Sequence, residues 1–223
     1  MNRVPETLEG HGVAASRVAR LYAVTPDEPD TRILTRKVKL ALAGGARAVQ
    51  YRSKSSDQEL RRTQADALSA LCREAHALFI VNDDLDLALS VGADGLHLGR
   101  EDLRIEHARK KLGTAKILGA SCYDRLDLAV KARSQGADYV AFGSVFPSRT
   151  KPGAIRAPLA LLCEARSRLD IPVVAIGGIT AENARAVIDS GASAIAVISA
   201  LFDAEHVDAA ARALDGLFPR KSQ

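Results

Sequence analysis

One pattern repeats from Val18 almost to the end of the chain: a short apolar, β-branched segment followed by a longer segment of helical period. Most of the short segments are continuously apolar, which is typical of strands that are covered on both faces. The predicted strands are residues 19–24, 48–51, 78–81, 95–98, 116–118, 139–142, 173–176 and 194–198. The predicted helices are residues 32–43, 57–75, 84–91, 105–112, 124–135, 158–169, 180–190 and 203–214. This alternation predicts a parallel sheet.

A short motif marks the joints at which a helix ends and the next strand begins. Gly-Ala precedes an apolar strand in the segments GGARAVQ, GADGLHL, GADYVAF and GASAIAV. Eight strand–helix units in a chain of 223 residues favour a closed sheet, so we predict an α/β fold, a single-domain (β/α)8 TIM barrel. An open doubly wound sheet is the alternative. We expect a flexible N-terminal tail over 1–17, the barrel over 18–217 and a C-terminal tail over 218–223.

Composition excludes several classes of function. The net charge of +4 is spread along the chain and aromatic residues make up only 4%, so we expect no nucleic-acid partner. No apolar segment approaches the roughly 20 residues of a membrane span, and the first residues lack the apolar core of a secretory signal. The three cysteines are far apart and form no CxxC motif, which favours free thiols in a reducing cytoplasm.

The end of the second predicted strand carries three polar side chains in alternation. Gln50, Arg52 and Lys54 lie on the same side if the strand continues. An amide, a guanidinium and an ammonium group on one side suit a diphosphate group. Taken alone, the segment could equally be a solvated strand end.

Acidic residues follow the third and fourth predicted strands. Asp83 and Asp102 come from neighbouring strand ends, where two carboxylates could share one hard cation. Mg²⁺ typically takes one or two carboxylates and completes its shell with water and phosphate oxygens. Each acid could instead cap a helix, and for Asp84 we expect that role.

The segments after the last three predicted strands suggest a second anion site. Residues 143–153 form a long loop with hydroxyl groups and a lysine, which we interpret as a mobile lid that contacts phosphate. Gly177 and Gly178 let backbone N–H groups approach an anion closely, and Ser199 follows the last strand. Two anion sites suit two phosphorylated substrates, held head to head.

Two further residues could take part in catalysis. His97 lies within the fourth predicted strand between apolar neighbours, so we expect a histidine that lines the barrel rather than a general base. Ser121 has no obvious base beside it in the sequence and is interpreted as a group that donates or accepts a hydrogen bond with substrate, not as a nucleophile.

The ordered motifs resemble those of the thiamine-phosphate synthase family. The resemblance spans roughly residues 20–202, and it is carried by the segments LYAVT, GGARAVQYRSK, FIVNDDLDLAL, GADGLHLGREDL, LGAS, GADYVAFGSVFPSRTKPG, VVAIGGIT and AVISAL. It implies a transferase that joins 4-amino-5-hydroxymethyl-2-methylpyrimidine diphosphate to a thiazole phosphate. The products are thiamine phosphate and diphosphate, and the cofactor is Mg²⁺.

The resemblance also implies roles for individual residues. The positions matching contacts to the pyrimidine diphosphate are Gln50, Arg52, Lys54, Asn82, Ser121 and Lys151. Those matching contacts to the thiazole phosphate are Ser148, Thr150, Gly178, Ile198 and Ser199. Asp83 and Asp102 match the metal ligands, and Arg52, Ser121 and Lys151 match the groups closest to the chemistry.

The chain departs from the family pattern at three positions. Arg100 stands where glutamine is usual, Ser148 where threonine is common, and Tyr123 where a histidine is frequent. The first two keep polar or hydroxyl character, whereas the role of Tyr123 stays open.

Other activities of the same barrel remain as alternatives. A tautomerase that acts on the thiazole phosphate alone would not need the acidic pair together with Gln50, Arg52 and Lys54. A sugar-phosphate isomerase would need a clear general base, and a thiamine-phosphate-binding protein would not need a metal site. A homo-oligomer is possible, and we expect small-molecule substrates and no membrane partner.

Overall fold

The computed structural model describes residues 18–99, 105–148, 153 and 155–219, and it contains eight parallel strands that close into a barrel. Each strand pairs with the next along the chain, and the last pairs with the first. The strands are β1 (Arg20–Val24), β2 (Ala48–Tyr51), β3 (Leu78–Asn82), β4 (Gly95–Leu98), β5 (Ile117–Tyr123), β6 (Tyr139–Phe142), β7 (Val173–Ile176) and β8 (Ala194–Val197). The prediction of a closed (β/α)8 barrel is confirmed, and the open sheet is excluded.

Helices follow the strands within the described residues. They are α1 (Thr31–Ala43), α2 (Gln58–Glu74), α3 (Leu85–Ser90), α4 (Ile105–Leu112), α5 (Leu126–Ser134), α6 (Leu159–Arg168), α7 (Ala184–Asp189), α8 (Ser199–Phe202) and α9 (Val207–Gly216). Asp30, Asp57 and Asp84 cap the first three by accepting hydrogen bonds from backbone N–H groups of the first turn. The predicted cap at Asp84 is thus confirmed. None of these helices is long and apolar enough to cross a membrane.

Three elements differ from the predicted bounds by more than two residues at one end. Strand β5 continues to Tyr123, with a register shift against β6, although the sequence predicted an end at residue 118. The predicted helix 180–190 begins as a turn, in which the Asn183 side chain bonds the Thr180 N–H and the Gly178 carbonyl, so α7 starts later. The predicted helix 203–214 begins later, because α9 covers Val207–Gly216, and the separate short helix α8 precedes it.

Alternating strand residues build two separate cores. One set faces outward and packs against the helices, whereas the other fills the interior of the barrel. The interior set is made of apolar side chains and two tyrosines, among them Tyr22, Leu78, Ile80, Tyr139 and Val174. The barrel is therefore a packed body and not a pore.

Charged groups tie together the end of the barrel at which the strands begin. Arg20 donates to the carboxylate of Asp215, with both nitrogen–oxygen distances at 2.8 Å. Arg109 pairs with Asp138, whose carboxylate also accepts from the Leu118 N–H at 2.8 Å. Phe218 is buried beside Arg20, so the packed structure extends beyond residue 217.

The cysteines agree with the expectation of free thiols. All three lie in described parts of the chain and none is in a disulfide; Cys72 and Cys122 are buried and Cys163 is exposed. Burial raises the pKa of the Cys72 and Cys122 thiols to about 12, because the thiolate would lose its solvation. These two groups are packing residues and not nucleophiles.

Candidate active site

The end of the barrel at which the strands finish gathers the predicted site residues. Parallel strands finish at the same rim, so side chains at or just after the ends of β2, β3, β5, β6, β7 and β8 come together there. The described members are Gln50, Arg52, Lys54, Asn82, Asp83, Ser121, Ser148, Gly178, Ile198 and Ser199. Arg100, Asp102, Thr150 and Lys151 lie outside the described residues, and so do residues 1–17.

The segment after β2 is held in place by Thr25. The Thr25 hydroxyl donates to the Arg52 carbonyl at 3.0 Å and accepts from the Arg52 N–H at 2.9 Å. The Thr25 N–H donates to the Gln50 carbonyl at 2.9 Å, so the pairing of β1 with β2 continues to the rim. Buried Thr25 therefore fixes the backbone from which Gln50 and Arg52 project.

Asp27 lies beside both cations of this segment. Its carboxylate accepts from the Lys54 N–H at 2.7 Å, and it lies 3.6 Å from the Arg52 guanidinium and 3.9 Å from the Lys54 ammonium group. Sequence reasoning missed Asp27 because nothing in the local pattern connects it with residues 27 positions further along. The arrangement places a carboxylate where an anionic ligand would meet the same two cations.

We expect Asp27→Asn to strengthen binding of inorganic diphosphate by roughly two- to fivefold, since the ion pairs are partly exposed and each contributes little. The amide keeps an oxygen for the Lys54 N–H but removes the competing negative charge. Asp27→Ala should weaken binding, because the backbone anchor is lost. Calorimetric titration at low and moderate salt measures both, and weaker binding by Asp27→Asn would contradict competition.

Asp83 and Asp84 are neighbours with different environments. The Asp84 carboxylate is fully used: one oxygen accepts from the Leu87 N–H at 2.8 Å, and the other lies 2.5 Å from the Arg61 guanidinium. Asp83 adopts a left-handed conformation with φ of 62°, which asparagine and aspartate tolerate better than most residues. Its N–H donates to the His97 carbonyl at 2.8 Å, so this turn is attached to β4.

The Asp83 side chain has the chemistry of a metal ligand. Its carboxylate accepts from the Asn82 amide at 2.5 Å, and it lines a cavity of about 440 Å³. The other described residues that line this cavity are Arg61, Asp84, Leu85, Asp86 and Lys111. Among the described residues no group of three histidine, cysteine or acidic side chains is arranged to hold a metal ion by itself. One hard oxygen ligand fits a cation that water and phosphate would also coordinate.

Five side chains form a hydrogen-bonded chain through the barrel interior. The Gln50 amide nitrogen donates to the Tyr22 hydroxyl at 3.1 Å, and the Tyr22 and Tyr139 hydroxyls are 2.9 Å apart. His97 lies 2.9 Å from the Tyr139 hydroxyl through Nδ1 and 2.9 Å from the Ser121 hydroxyl through Nε2. Burial raises the pKa of Tyr22 to about 12 and that of Tyr139 well above its ordinary value, so both phenols stay neutral.

This chain confirms one prediction and adds a contact that the sequence did not indicate. His97 is buried and lines the barrel, as expected. The longer β5 brings the Ser121 hydroxyl to the His97 ring, which is distant from it in the sequence. Tyr22 and Tyr139 lie in predicted strands and were not among the candidate site residues. Their only signal was a polar hydroxyl at inward-facing positions of two strands.

The segment after β6 packs directly on the glycines after β7. The Val145 N–H donates to the Ile176 carbonyl and the Phe146 N–H to the Gly177 carbonyl, both at 3.0 Å. Gly178 has φ of 65°, and a Cβ atom there would lie 2.3 Å from the Pro147 carbonyl oxygen. The glycine pair therefore has a packing role in addition to the predicted approach to an anion.

The chain matches proteins of one family over most of its length. It matches the family model described as thiamine monophosphate synthase over residues 21–201. The thiamine-phosphate synthase of Thiobacillus denitrificans is 58% identical over 198 residues, which are 89% of this chain and 94% of that protein. The thiamine-phosphate synthase of Chromobacterium violaceum is 57% identical over 202 residues, which are 91% of this chain and 97% of that protein.

A solved structure agrees with these sequence matches. The thiamine phosphate pyrophosphorylase from Pyrococcus furiosus superimposes with a TM-score of 0.81 at 40% identity, covering 91% of this chain and 96% of that chain. The fold, the order of the motifs and these similarities confirm the resemblance stated above. The chain belongs to the thiamine monophosphate synthase family.

Proposed function

We propose that this protein is a transferase of thiamine biosynthesis that condenses 4-amino-5-hydroxymethyl-2-methylpyrimidine diphosphate with a thiazole phosphate. The products are thiamine phosphate and diphosphate. The observation that carries the proposal is the pair of cations that follow β2, Arg52 and Lys54, beside the neighbouring strand β3, which Asp83 follows directly. Cationic groups and a hard oxygen ligand at one rim suit a diphosphate with a divalent metal.

The bond changes need little acid–base chemistry. The thiazole nitrogen uses its lone pair to form a bond to the pyrimidine methylene carbon, and the bond from that carbon to the diphosphate oxygen breaks. No proton must be removed, so a general base is unnecessary. The demand on the protein is to stabilise negative charge on the departing diphosphate and to align the two substrates.

The chain's residues divide between these tasks. Gln50, Asn82 and Ser121 hold the pyrimidine diphosphate, and Arg52, Lys54 and Lys151 neutralise its charge. Asp83 and Asp102 would hold Mg²⁺, which when bound adds positive charge against the leaving group. The thiazole phosphate is held by Ser148, Thr150, Gly178, Ile198 and Ser199. The loop after β6 would exclude water, since its first residues already pack on the β7 rim.

The deciding experiment mixes purified protein, both substrates and Mg²⁺, and it measures diphosphate and thiamine phosphate. We expect equal amounts of the two products, only when both substrates and the metal are present. Removal of the metal with a chelator should abolish diphosphate release. Replacement of Mg²⁺ by other divalent ions identifies the metal preference. Absence of both products with active substrates would contradict the proposal.

The same assay separates the alternatives. A thiazole-phosphate tautomerase would change the thiazole phosphate when it is the only substrate present. A thiamine-phosphate-binding protein would bind the product and release no diphosphate. We further propose a cytoplasmic location, because three free thiols fit a reducing compartment.

A further inference from the structure

The hydrogen-bonded chain from Gln50 to Ser121 crosses the barrel interior and involves five strands. Four of its members are buried: Gln50, Tyr22, Tyr139 and His97. Ser121 is half-buried, in the part of β5 near the rim at which the strands finish. The His97 and Tyr139 rings are stacked with centroids 5.5 Å apart, and the Tyr22 ring meets Tyr139 edge-on. Such packing holds each hydroxyl and ring nitrogen in one position.

With the Gln50 amide nitrogen as the first donor, the number of protons sets the direction of the chain. A phenol has one proton to donate, and a buried donor without an acceptor is costly. The Gln50 amide N–H donates to the Tyr22 oxygen, so the Tyr22 proton is directed to the Tyr139 oxygen. The Tyr139 proton is then directed to Nδ1 of His97. Each hydroxyl in this arrangement donates once and accepts once.

This direction has a consequence for the last member of the chain. A histidine that accepts at Nδ1 carries its proton on Nε2 when the ring is neutral, and Nε2 faces the Ser121 oxygen at 2.9 Å. Ser121 then accepts a hydrogen bond from His97 in the barrel interior, and its own hydroxyl proton is available to a ligand at the rim where the strands finish. We propose that the chain holds His97 as the Nε2–H tautomer and makes Ser121 a hydrogen-bond donor to substrate, with Tyr139 as the positioning residue.

The role of the donor rests on the proposed function. In that reaction the strongest hydrogen-bond acceptors at the rim are the oxygen atoms of the departing diphosphate. A hydroxyl donor stabilises the negative charge that grows on those oxygens. The tautomer also explains why Ser121 is not a nucleophile. His97 offers it a proton and has no free lone pair at Nε2 with which to remove one.

The opposite direction requires one change. If the Gln50 amide were turned over, its carbonyl oxygen would face Tyr22 and every proton in the chain would point the other way. His97 would carry its proton on Nδ1, and the Ser121 hydroxyl would donate to Nε2 instead of to substrate. The two directions therefore differ in a property of His97 that can be measured directly.

The first test is nitrogen NMR of the ligand-free full chain, labelled with ¹⁵N at histidine. The His97 signals are those missing from a His97→Gln variant, which separates them from the other four histidines of the chain. We expect His97 to be protonated at Nε2 and unprotonated at Nδ1. A proton on Nδ1, or on both nitrogens, would overturn the proposed direction. This result does not depend on which reaction the protein catalyses.

The second test compares Tyr139→Phe with Tyr22→Phe in the diphosphate-release assay. Both variants lose one buried hydroxyl, but only the first removes the group that orients His97. We expect kcat to fall about tenfold in Tyr139→Phe and by less in Tyr22→Phe, because the Tyr139 hydroxyl still contacts Nδ1 of His97 in the second variant, at similar melting temperatures. Equal losses would contradict the positioning role of Tyr139. If the two substrates do not react with the unmodified protein, the proposed function fails, while the NMR result still decides the tautomer.

Discussion

Asp83→Asn is expected to lower the rate of diphosphate release by about two to three orders of magnitude, with little change in the melting temperature. The substitution keeps the size of the side chain, and asparagine tolerates the left-handed conformation at this position. It removes the negative charge that the proposed metal requires. Single-turnover assays over a range of Mg²⁺ concentrations measure the loss and show whether added metal restores part of the rate.

Asp84→Asn is the matched control, because the two aspartates are adjacent and the chemical change is identical. Asp84 caps α3 and pairs with Arg61, so its charge contributes to stability. Asparagine is also a good cap, and the ion pair is partly exposed, so the free energy of unfolding should fall by only about 1 kcal/mol. Turnover should be retained. If Asp84→Asn lost more activity than Asp83→Asn, the assignment of the metal ligand would be wrong.

Gly119→Ala is expected to reduce the free energy of unfolding by about 3 kcal/mol, the upper part of the usual range for overpacking a core. A Cβ atom at this position would lie 2.1 Å from Cζ of Tyr139 and 2.4 Å from its hydroxyl oxygen. The ring is fully buried and its hydroxyl is held by Tyr22 and His97, so it has little room to move. Denaturant unfolding measures the change.

Gly113→Ala provides the comparison for that prediction. Gly113 has φ of 74° and nothing within 4 Å of an added Cβ atom, so only the left-handed backbone opposes alanine. We expect a loss of about 1 kcal/mol. A larger loss at Gly113 than at Gly119 would show that the interior of the barrel relaxes around Tyr139, contrary to the packing described here.

The alternation of apolar segments predicted the barrel well because each strand is a local feature of the sequence. Continuously apolar strands, capping aspartates and recurrent Gly-Ala joints are visible within a few residues, and the structure confirms them. The end of β5 and the starts of the last helices were predicted wrongly. Their ends depend on contacts with other segments, such as the register shift of β5 against β6.

The candidate site was predictable to the extent that it lies at strand ends. Parallel strands finish together, so residues after β2, β3 and β5 could be assigned to one rim without coordinates. Contacts across that rim could not be assigned. Asp27 meets Lys54, and His97 meets Ser121, because of register and side-chain direction between different strands. The five-membered chain is likewise invisible until the inward-facing positions of several strands are superimposed.

The apolar filling of the barrel, as far as the structure describes it, closes the path through the barrel axis. Side chains such as Leu78, Ile80 and Val174 occupy the interior, and charged pairs such as Arg20 with Asp215 tie the opposite end. Ligands of the candidate site therefore enter and leave at the rim at which the strands finish.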